Sequence, residues 1–426
     1  MVVGGMVGSG IFLLPGYAAA TVNSGGMLLL AWFLGGVMAL LGALSTSELA
    51  TRYPHTGGDF IYLLRIYGRL PAFLYGWICL TVTGGGSVAI LALFSAKYSA
   101  QFLLFIQIDA TNEIFTAAVI IVLFTTLHCL RVAVGTRFQS LLTVLKVGGI
   151  AVLALYLLGA EPSAEPVTKV ITNKPWTGFA RALIPIYFTY SGWNCAGYLA
   201  GEVAEPRKTF PIAFVAGTGI TIILYILLNA GFLNVLEIQS MQGDSLIPLT
   251  ALEALGQTQA VRMMNLLILV SVLSSLSIII QTSARILQSL GENGVFFRKL
   301  GQVYPKSHTP VIALVVQAGL AILLMSVLDI NRLVDSTTVV MVLFSALVVS
   351  ALLKVRKGEK GRSGPADTFR TPFYPFVPLA YIGCALFITW GVILYYLELG
   401  DVLPLWGFAI LLPGIPVYYL WEKYSN

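Results

Sequence analysis

Charge is scarce in this chain. Of its 426 residues only 10% are Asp, Glu, Lys or Arg, where a water-soluble chain carries about a quarter. Apolar residues make up 57%, and the mean hydropathy is +0.86. So few charges cannot coat a water-exposed surface of this size, which excludes a soluble enzyme. The apolar content excludes a disordered regulator. Cysteine is also sparse: Cys79, Cys129, Cys195 and Cys384 each lie inside an apolar run, and none is at zinc-like spacing. That predicts free thiols rather than a disulfide scaffold. His55, His128 and His308 are far apart in sequence and form no metal pattern. No nucleophile motif appears, so neither metal nor cofactor is expected. No cleavable leader is expected, because the first apolar run lacks a basic n-region and more runs follow it. The net charge of +6 would raise the question of nucleic acid in a soluble chain. Here the basic residues fall in short loops between apolar runs, so they read as membrane topology and no nucleic-acid partner is expected.

What is abundant is apolar sequence in runs near the length of about 20 residues that crosses a bilayer. Twelve are legible, at roughly 1–22, 26–50, 71–100, 114–130, 138–159, 179–201, 210–234, 262–288, 309–328, 334–353, 375–397 and 402–421. In lipid each must satisfy its own backbone, so helix is the expectation. Alternate loops differ in Lys and Arg, 18 on one side against six on the other, with Lys146 inside a span. That bias predicts a multi-pass protein of the cell membrane, surrounded by lipid, with both termini in the cytoplasm. No loop has the composition of a fused soluble domain.

Two runs carry glycine and polar residues where lipid would penalise them. The first is Gly4-Gly5-Met6-Val7-Gly8-Ser9-Gly10-Ile11-Phe12, and the second is Tyr187-Phe188-Thr189-Tyr190-Ser191-Gly192-Trp193-Asn194. Close helix packing is one reading of such glycines. An unwound stretch lining a cavity is the other. Their positions in spans 1 and 6 favour the second reading, since a five-helix unit repeated once must run inverted, and matching interruptions in inverted halves point to a transport site. A broken helix leaves N–H donors at the start of one half and carbonyl acceptors at the end of the other. The first end holds an anion and the second a cation, so a zwitterion fits both.

Gly8-Ser9-Gly10-Ile11-Phe12 with Pro15-Gly16 resembles the first helix of the amino acid–polyamine–organocation (APC) transporters. Phe188-Thr189-Tyr190-Ser191-Gly192-Trp193-Asn194, followed by Glu202-Val203 and Glu205-Pro206, resembles their sixth. The Phe-x-Tyr-x-Gly-Trp-Asn form is most similar to the L-type amino acid transporter (LAT) branch. The likeness continues through Arg52-Tyr53-Pro54, Thr56-Gly57-Gly58, Ser283-Ala284-Arg285 and Gly291-Glu292-Asn293-Gly294. The resemblance implies an all-α LeuT-type fold: five plus five inverted helices and two more, with helices 1 and 6 broken. Residues 1–426 would form one transporter domain, with repeats 1–159 and 179–353 and helices 11–12 over 375–421. It also implies a substrate site of Met6, Ser9, Gly10, Ile11, Phe188, Tyr190, Ser191 and Asn194. The Ser9 and Gly10 N–H groups and the Ser9 hydroxyl would take the carboxylate. The carbonyls of Met6, Phe188 and Ser191 would take the ammonium. Tyr190 and Asn194 would border the site, and Trp193 would pack beneath it. Members usually carry a cytoplasmic tail before the first helix. This chain begins about five residues before the break, so its first half-helix is short or a tail is missing, and inner-gate contacts are left open.

Lys146 lies about eight residues into its span, ~12 Å deep at ~1.5 Å per residue. A lysine there costs about 2.5–3.5 kcal/mol on insertion scales. Snorkelling to the cytoplasmic face is the plainer alternative. The functional reading is a fixed ammonium where sodium-coupled proteins of this fold bind sodium, since similar lysines occur in the fifth helix of the L-type branch. Its expected partners are a carbonyl near Gly5 and the hydroxyl of Ser274 or Ser275. The expectation is therefore sodium-independent transport, with proton exchange at Lys146 as an alternative.

Neither broken segment contains an acid, and Asn194 sits where a carboxylate could have met a cationic side chain. Both facts lean towards neutral, small amino acids and away from arginine or polyamines. Gln281 and Thr282 read as helix contacts rather than substrate contacts. Glu48 with Arg52 at i+4 reads as a helix salt pair, and Asp335 as a helix cap. Glu202, Glu205, Arg207 and Lys208 read as a loop network able to latch the inner gate. Some L-type members bond to a heavy subunit through a cysteine in the outer loop between spans 3 and 4. Gln101 to Glu113 has none, so no disulfide-linked heavy subunit is expected. The leading expectation is a secondary exchanger of neutral L-amino acids working by alternating access. A proton-coupled symporter, a cationic amino acid or polyamine transporter, and an amino-acid-sensing receptor or channel remain alternatives. A membrane enzyme would need clustered catalytic groups.

Overall fold

The computed structural model describes residues 2–22, 24–100, 110–130, 135–161, 175–198, 203, 205–244, 246–327, 330–359, 368–400 and 406–425. These residues are helical apart from turns, loops and one isolated bridge between Tyr304 and Thr309. Seven of their helices are long and apolar enough to cross a membrane, and Val2–Leu13, Thr143–Gly159 and Val311–Val327 are shorter apolar stretches.

The first apolar run is three short helices rather than one: α1 (Val2–Met6), α2 (Gly10–Leu13) and α3 (Pro15–Ala19). α4 (Gly25–Arg52) starts where the Ser24 hydroxyl accepts from the Met27 N–H at 3.2 Å, a cap that satisfies one orphan donor. It ends at Tyr53, just before Pro54. A short helix not expected from the sequence, α5 (Asp59–Ile66), then leads into α6 (Arg69–Ile78). α6 continues through a π-helical stretch, Cys79–Gly84, into α7 (Gly85–Ala100). Such a stretch widens the turn and often marks a functional site. α8 (Ala110–Leu130) and α9 (Gly135–Gly159) complete the first half.

The sixth run is again split, into α10 (Pro175–Tyr190) and α11 (Cys195–Tyr198). α12 (Pro206–Val235) follows, then two short helices, α13 (Ile238–Met241) and α14 (Ile247–Ala254), then α15 (Thr258–Glu292), α16 (Val311–Val327), α17 (Ile330–Gly358), α18 (Phe376–Leu399) and α19 (Trp406–Ser425). α12 packs against α4 and α9, α7 against α8, α15 and α16, and α10 against α4 and α18. The two split runs therefore sit among long continuous helices. Large apolar side chains face outward on α8 and α9, with Phe115 68% and Val144 70% exposed. In water that would be an aggregation hazard, whereas in lipid it is the expected face.

Two buried ion clusters tie distant helices together. Glu48, expected as a simple helix pair, accepts from Arg52 at 2.7 Å, from Arg356 of α17 at 2.6 Å and from the Thr371 N–H at 2.7 Å. Asp335 is a correction to the cap expectation. It lies more than a turn inside α17, out of reach of the first N–H groups, and its carboxylate accepts from Arg181 of α10 at 2.8 Å and from the Tyr396 hydroxyl of α18. At the start of α12, Lys208 and Glu205 pair at 3.0 Å on the surface, and Glu202 lies outside the described residues. So do residues 101–109 of the outer loop that bears on a heavy subunit.

Candidate functional site

The two interruptions meet. α1 ends at Met6, residues 7–9 form a bend outside either helix, and α2 starts at Gly10. α10 ends at Tyr190, and Ser191–Asn194 bridge to α11. Pro185 sits inside α10, where it removes one helical hydrogen bond near the break. The Ser191 N–H and hydroxyl both turn back to the Phe188 carbonyl, at 3.1 and 2.6 Å. Gly192 then adopts φ +99°, and a Cβ there would lie 2.8 Å from the Gly5 carbonyl oxygen. Only glycine combines that backbone conformation with that approach. On the other side of the break, a Cβ on Gly10 would lie 2.9 Å from the Thr189 Cα. Main chain thus packs on main chain at both breaks.

At the start of α2, Phe12 and Leu13 donate to the Ser9 carbonyl at 3.0 and 3.2 Å. The N–H groups of Ser9, Gly10 and Ile11 have no preceding turn to donate to. Ser9 is buried, and its side chain makes no capping bond. At the end of α1, the Met6 carbonyl is engaged twice, by the Gly8 N–H and by the Tyr225 hydroxyl, both at 2.7 Å. A carbonyl has two lone pairs. Met6 and Phe188, both expected to receive an ammonium, therefore have their acceptors filled in this conformation. Tyr190, expected to border the site, instead turns towards α4. Its ring packs 5.9 Å from Trp32 and 5.0 Å from Tyr225, and its hydroxyl has no partner among the described residues. Trp193 is buried against Tyr381, ring centroids 6.5 Å apart.

Lys146 is 1% exposed, and its Nζ donates to the Gly4 carbonyl at 2.8 Å, one residue from the Gly5 position expected. Of the two serines expected beside it, Ser275 turns back on its own helix. The Ser275 hydroxyl donates to Ser271 of its own helix at 3.0 Å, and its oxygen faces Gly8. Ser274 is buried on the same helix. The lysine thus ties α9 to the first half-helix.

A cavity of about 120 Å³ opens beside the second break. Of the expected residues, Gly5, Ser191 and Asn194 line it; Met6, Ser9, Gly10, Ile11, Phe188, Tyr190, Lys146, Ser274 and Ser275 do not. Thr83 and Gly84 of the π-helical stretch line it, as do Thr282 and Ser283 of α15 and Ser345 of α17. Its one carboxylate among the described residues is Asp59, at the start of α5. Asp59 Oδ2 accepts from Asn194 Nδ2 at 2.6 Å and from the hydroxyls of Tyr198 and Tyr75 at 3.0 and 3.3 Å. Burial pushes the Asp59 carboxyl up to about 6, against the lowering pull of those three donors. No acid lies within either broken segment, yet the fold delivers one to Asn194. Asp59 directly follows the Thr56-Gly57-Gly58 segment. An acid opening a short helix was the local signal, and its partners 135 and 139 residues away were not legible.

Such a site offers main-chain donors, acceptors and a few hydroxyls to a small polar solute. Among the described residues no three His, Cys, Asp or Glu side chains gather as a metal site. A family model for amino acid permeases matches residues 1–420. The chain is similar to the serine/threonine exchanger SteT of Bacillus subtilis, 28% identical over 99% of this chain and 95% of that protein. It is 27% identical to the mouse b(0,+)-type amino acid transporter 1, over 93% and 85% of the two chains. It is 25% identical to the human cystine/glutamate transporter, over 99% and 84%. Family and relatives are transporters and not enzymes, and the chain is a multi-pass membrane protein. Two interrupted helices meeting beside a cavity that holds Asp59, Asn194 and several hydroxyls agree with that: the chain belongs to the amino acid permease family of the APC superfamily, among relatives of L-type character.

Proposed function

We propose that this protein is a sodium-independent exchanger of neutral L-amino acids, small ones included, working by alternating access in the cell membrane. The observation that carries the reading is the meeting of the two breaks, with Gly192 against the Gly5 carbonyl and Gly10 against Thr189. A helix start and a helix end brought together provide an anion site and a cation site for one zwitterion. The N–H groups of Ser9, Gly10 and Ile11 take the carboxylate. The carbonyls of Met6, Phe188 and Ser191 take the ammonium once Tyr225 and Ser191 release the first two. Asn194 borders the site from the cavity side. Such a site recognises the α-amino acid portion and leaves the side chain to the cavity walls.

The reading includes twelve spans in two inverted sets of five plus two, as one domain, with both termini in the cytoplasm. The Lys and Arg bias of the loops supports that orientation. Lys146, held by the Gly4 carbonyl, places its amino group beside the first half-helix in the position a sodium ion would take, so no sodium ion is needed there. No disulfide-linked heavy subunit is part of the proposal, since 101–113 contains no cysteine. The test is counterflow in proteoliposomes. Labelled alanine should enter vesicles preloaded with unlabelled serine or alanine, equally with and without sodium. Empty vesicles should take up little. Equal uptake by empty and loaded vesicles contradicts exchange, and sodium-dependent uptake contradicts the role of Lys146.

A further inference from the structure

Asp59 is not explained by substrate held on main-chain groups, yet it is the point where four elements meet. It opens α5, and its donors come from α6 (Tyr75), from the bridge across the second break (Asn194) and from α11 (Tyr198). Tyr75 and Tyr198 also share a hydrogen bond at 3.0 Å, and the Gly57 N–H donates to the Tyr198 carbonyl at 3.2 Å. The second half of the interrupted helix is thus fastened to the α5–α6 corner across the cavity. Among the described residues the side-chain bonds to Asp59 all fall on Oδ2, so Oδ1 can take a proton without breaking any of them.

We propose that Asp59 is a proton-linked latch, a positioning residue that holds α11 closed over the cavity through Asn194 and Tyr198 and lets it swing away once ionised and hydrated. This rests on the reading of the chain as an alternating-access transporter. The titratable groups facing Asp59 are Tyr62 on its own helix, Tyr75 on α6, Cys79 in the π-helical stretch, Tyr187 on α10, Cys195 and Tyr198 on α11, and Tyr381 on α18. All are phenols or thiols, with ordinary values well above neutral pH. No basic side chain lines the cavity among the described residues. Asp59 is therefore the group there that changes charge below pH 7. In the closed state burial puts it at about 6, and in water it returns to roughly 3.9. The closed state binds the proton more tightly, so acid favours closure, and opening is released as pH rises through about 6.

The experiment is homoexchange of labelled alanine in proteoliposomes with both faces held at the same pH, from 7.5 to 5. The wild-type rate should fall about tenfold between pH 7 and 5, following the ionised fraction of a group titrating near 6. Asp59→Asn keeps an acceptor oxygen but cannot ionise, so its rate should be low and flat with pH. Asp59→Glu should restore a falling profile. An Asp59→Asn profile parallel to wild type overturns the latch. Absence of wild-type exchange at pH 7.5 would count against the transport reading itself. Should Asp59→Asn fail to fold, the wild-type thiols answer the question. Maleimide labelling of Cys195, which lines the cavity, should fall more steeply with acid than labelling of free cysteine in the same buffer. Parallel labelling curves overturn the latch.

Discussion

The two interrupted helices are unlike each other. The break between α1 and α2 is closely packed: Gly10 abuts Thr189, the Met6 carbonyl is filled by Gly8 and Tyr225, and Ser9 is buried. The break between α10 and α11 opens on the cavity and is fastened by side chains, Asn194 and Tyr198 to Asp59. Main-chain contacts cannot be changed without moving a helix, whereas side-chain fastenings can be released one at a time. The first break is therefore suited to be the fixed half of the site and the second its moving half.

Substitutions can break that distinction. The largest effect is expected for Gly192→Ala, where the two breaks touch. A side chain there takes on backbone strain of about 1–3 kcal/mol and meets the Gly5 carbonyl at 2.8 Å. Exchange should drop to background while the protein still reaches the membrane, and normal counterflow would show that the contact is not needed. Next is Lys146→Ala, which strips the donor from the buried Gly4 carbonyl. Leaving that acceptor unpaired costs about 1–3 kcal/mol, so exchange should fall about tenfold or more with insertion intact. Full activity would remove Lys146 from the account. Tyr225→Phe tests whether the first break must unmake a bond to accept substrate. Freeing the Met6 carbonyl should lower the KM for alanine about two- to fivefold, on the scale of one neutral hydrogen bond, and a raised KM would mean that Tyr225 itself contacts substrate. The smallest effect belongs to Lys208→Ala. Its partner Glu205 is 3.0 Å away, and both side chains are largely exposed. Such pairs are worth about 0–1 kcal/mol, so neither melting temperature nor exchange should change measurably.

What was legible in the sequence follows a physical line. Helix interruption is local, because glycine, serine and proline write it within a few residues, and both breaks fall inside the runs expected to hold them. The burial of Lys146 follows from the sequence in the same way, since a charge well inside an apolar run has to face protein. Its carbonyl partner was narrowed to within one residue. Side-chain direction at a break was not legible, because unwound backbone has no period. Tyr190 was therefore assigned to the cavity and lies against Trp32 instead. Long-range pairing was also hidden. Asp335 looked like a cap because nothing in its neighbourhood announced Arg181, 154 residues away. Asp59 is hidden in the same way, because its donors lie on other elements.

The central claim is that the two breaks hold the carboxylate and ammonium of one solute through main-chain groups. The direct measurement is competition against labelled alanine exchange by alanine, alaninamide and propionate, the last two each lacking one charged end. The account predicts strong competition by alanine and little by either analogue at the same concentration. Alaninamide or propionate competing as well as alanine would contradict it.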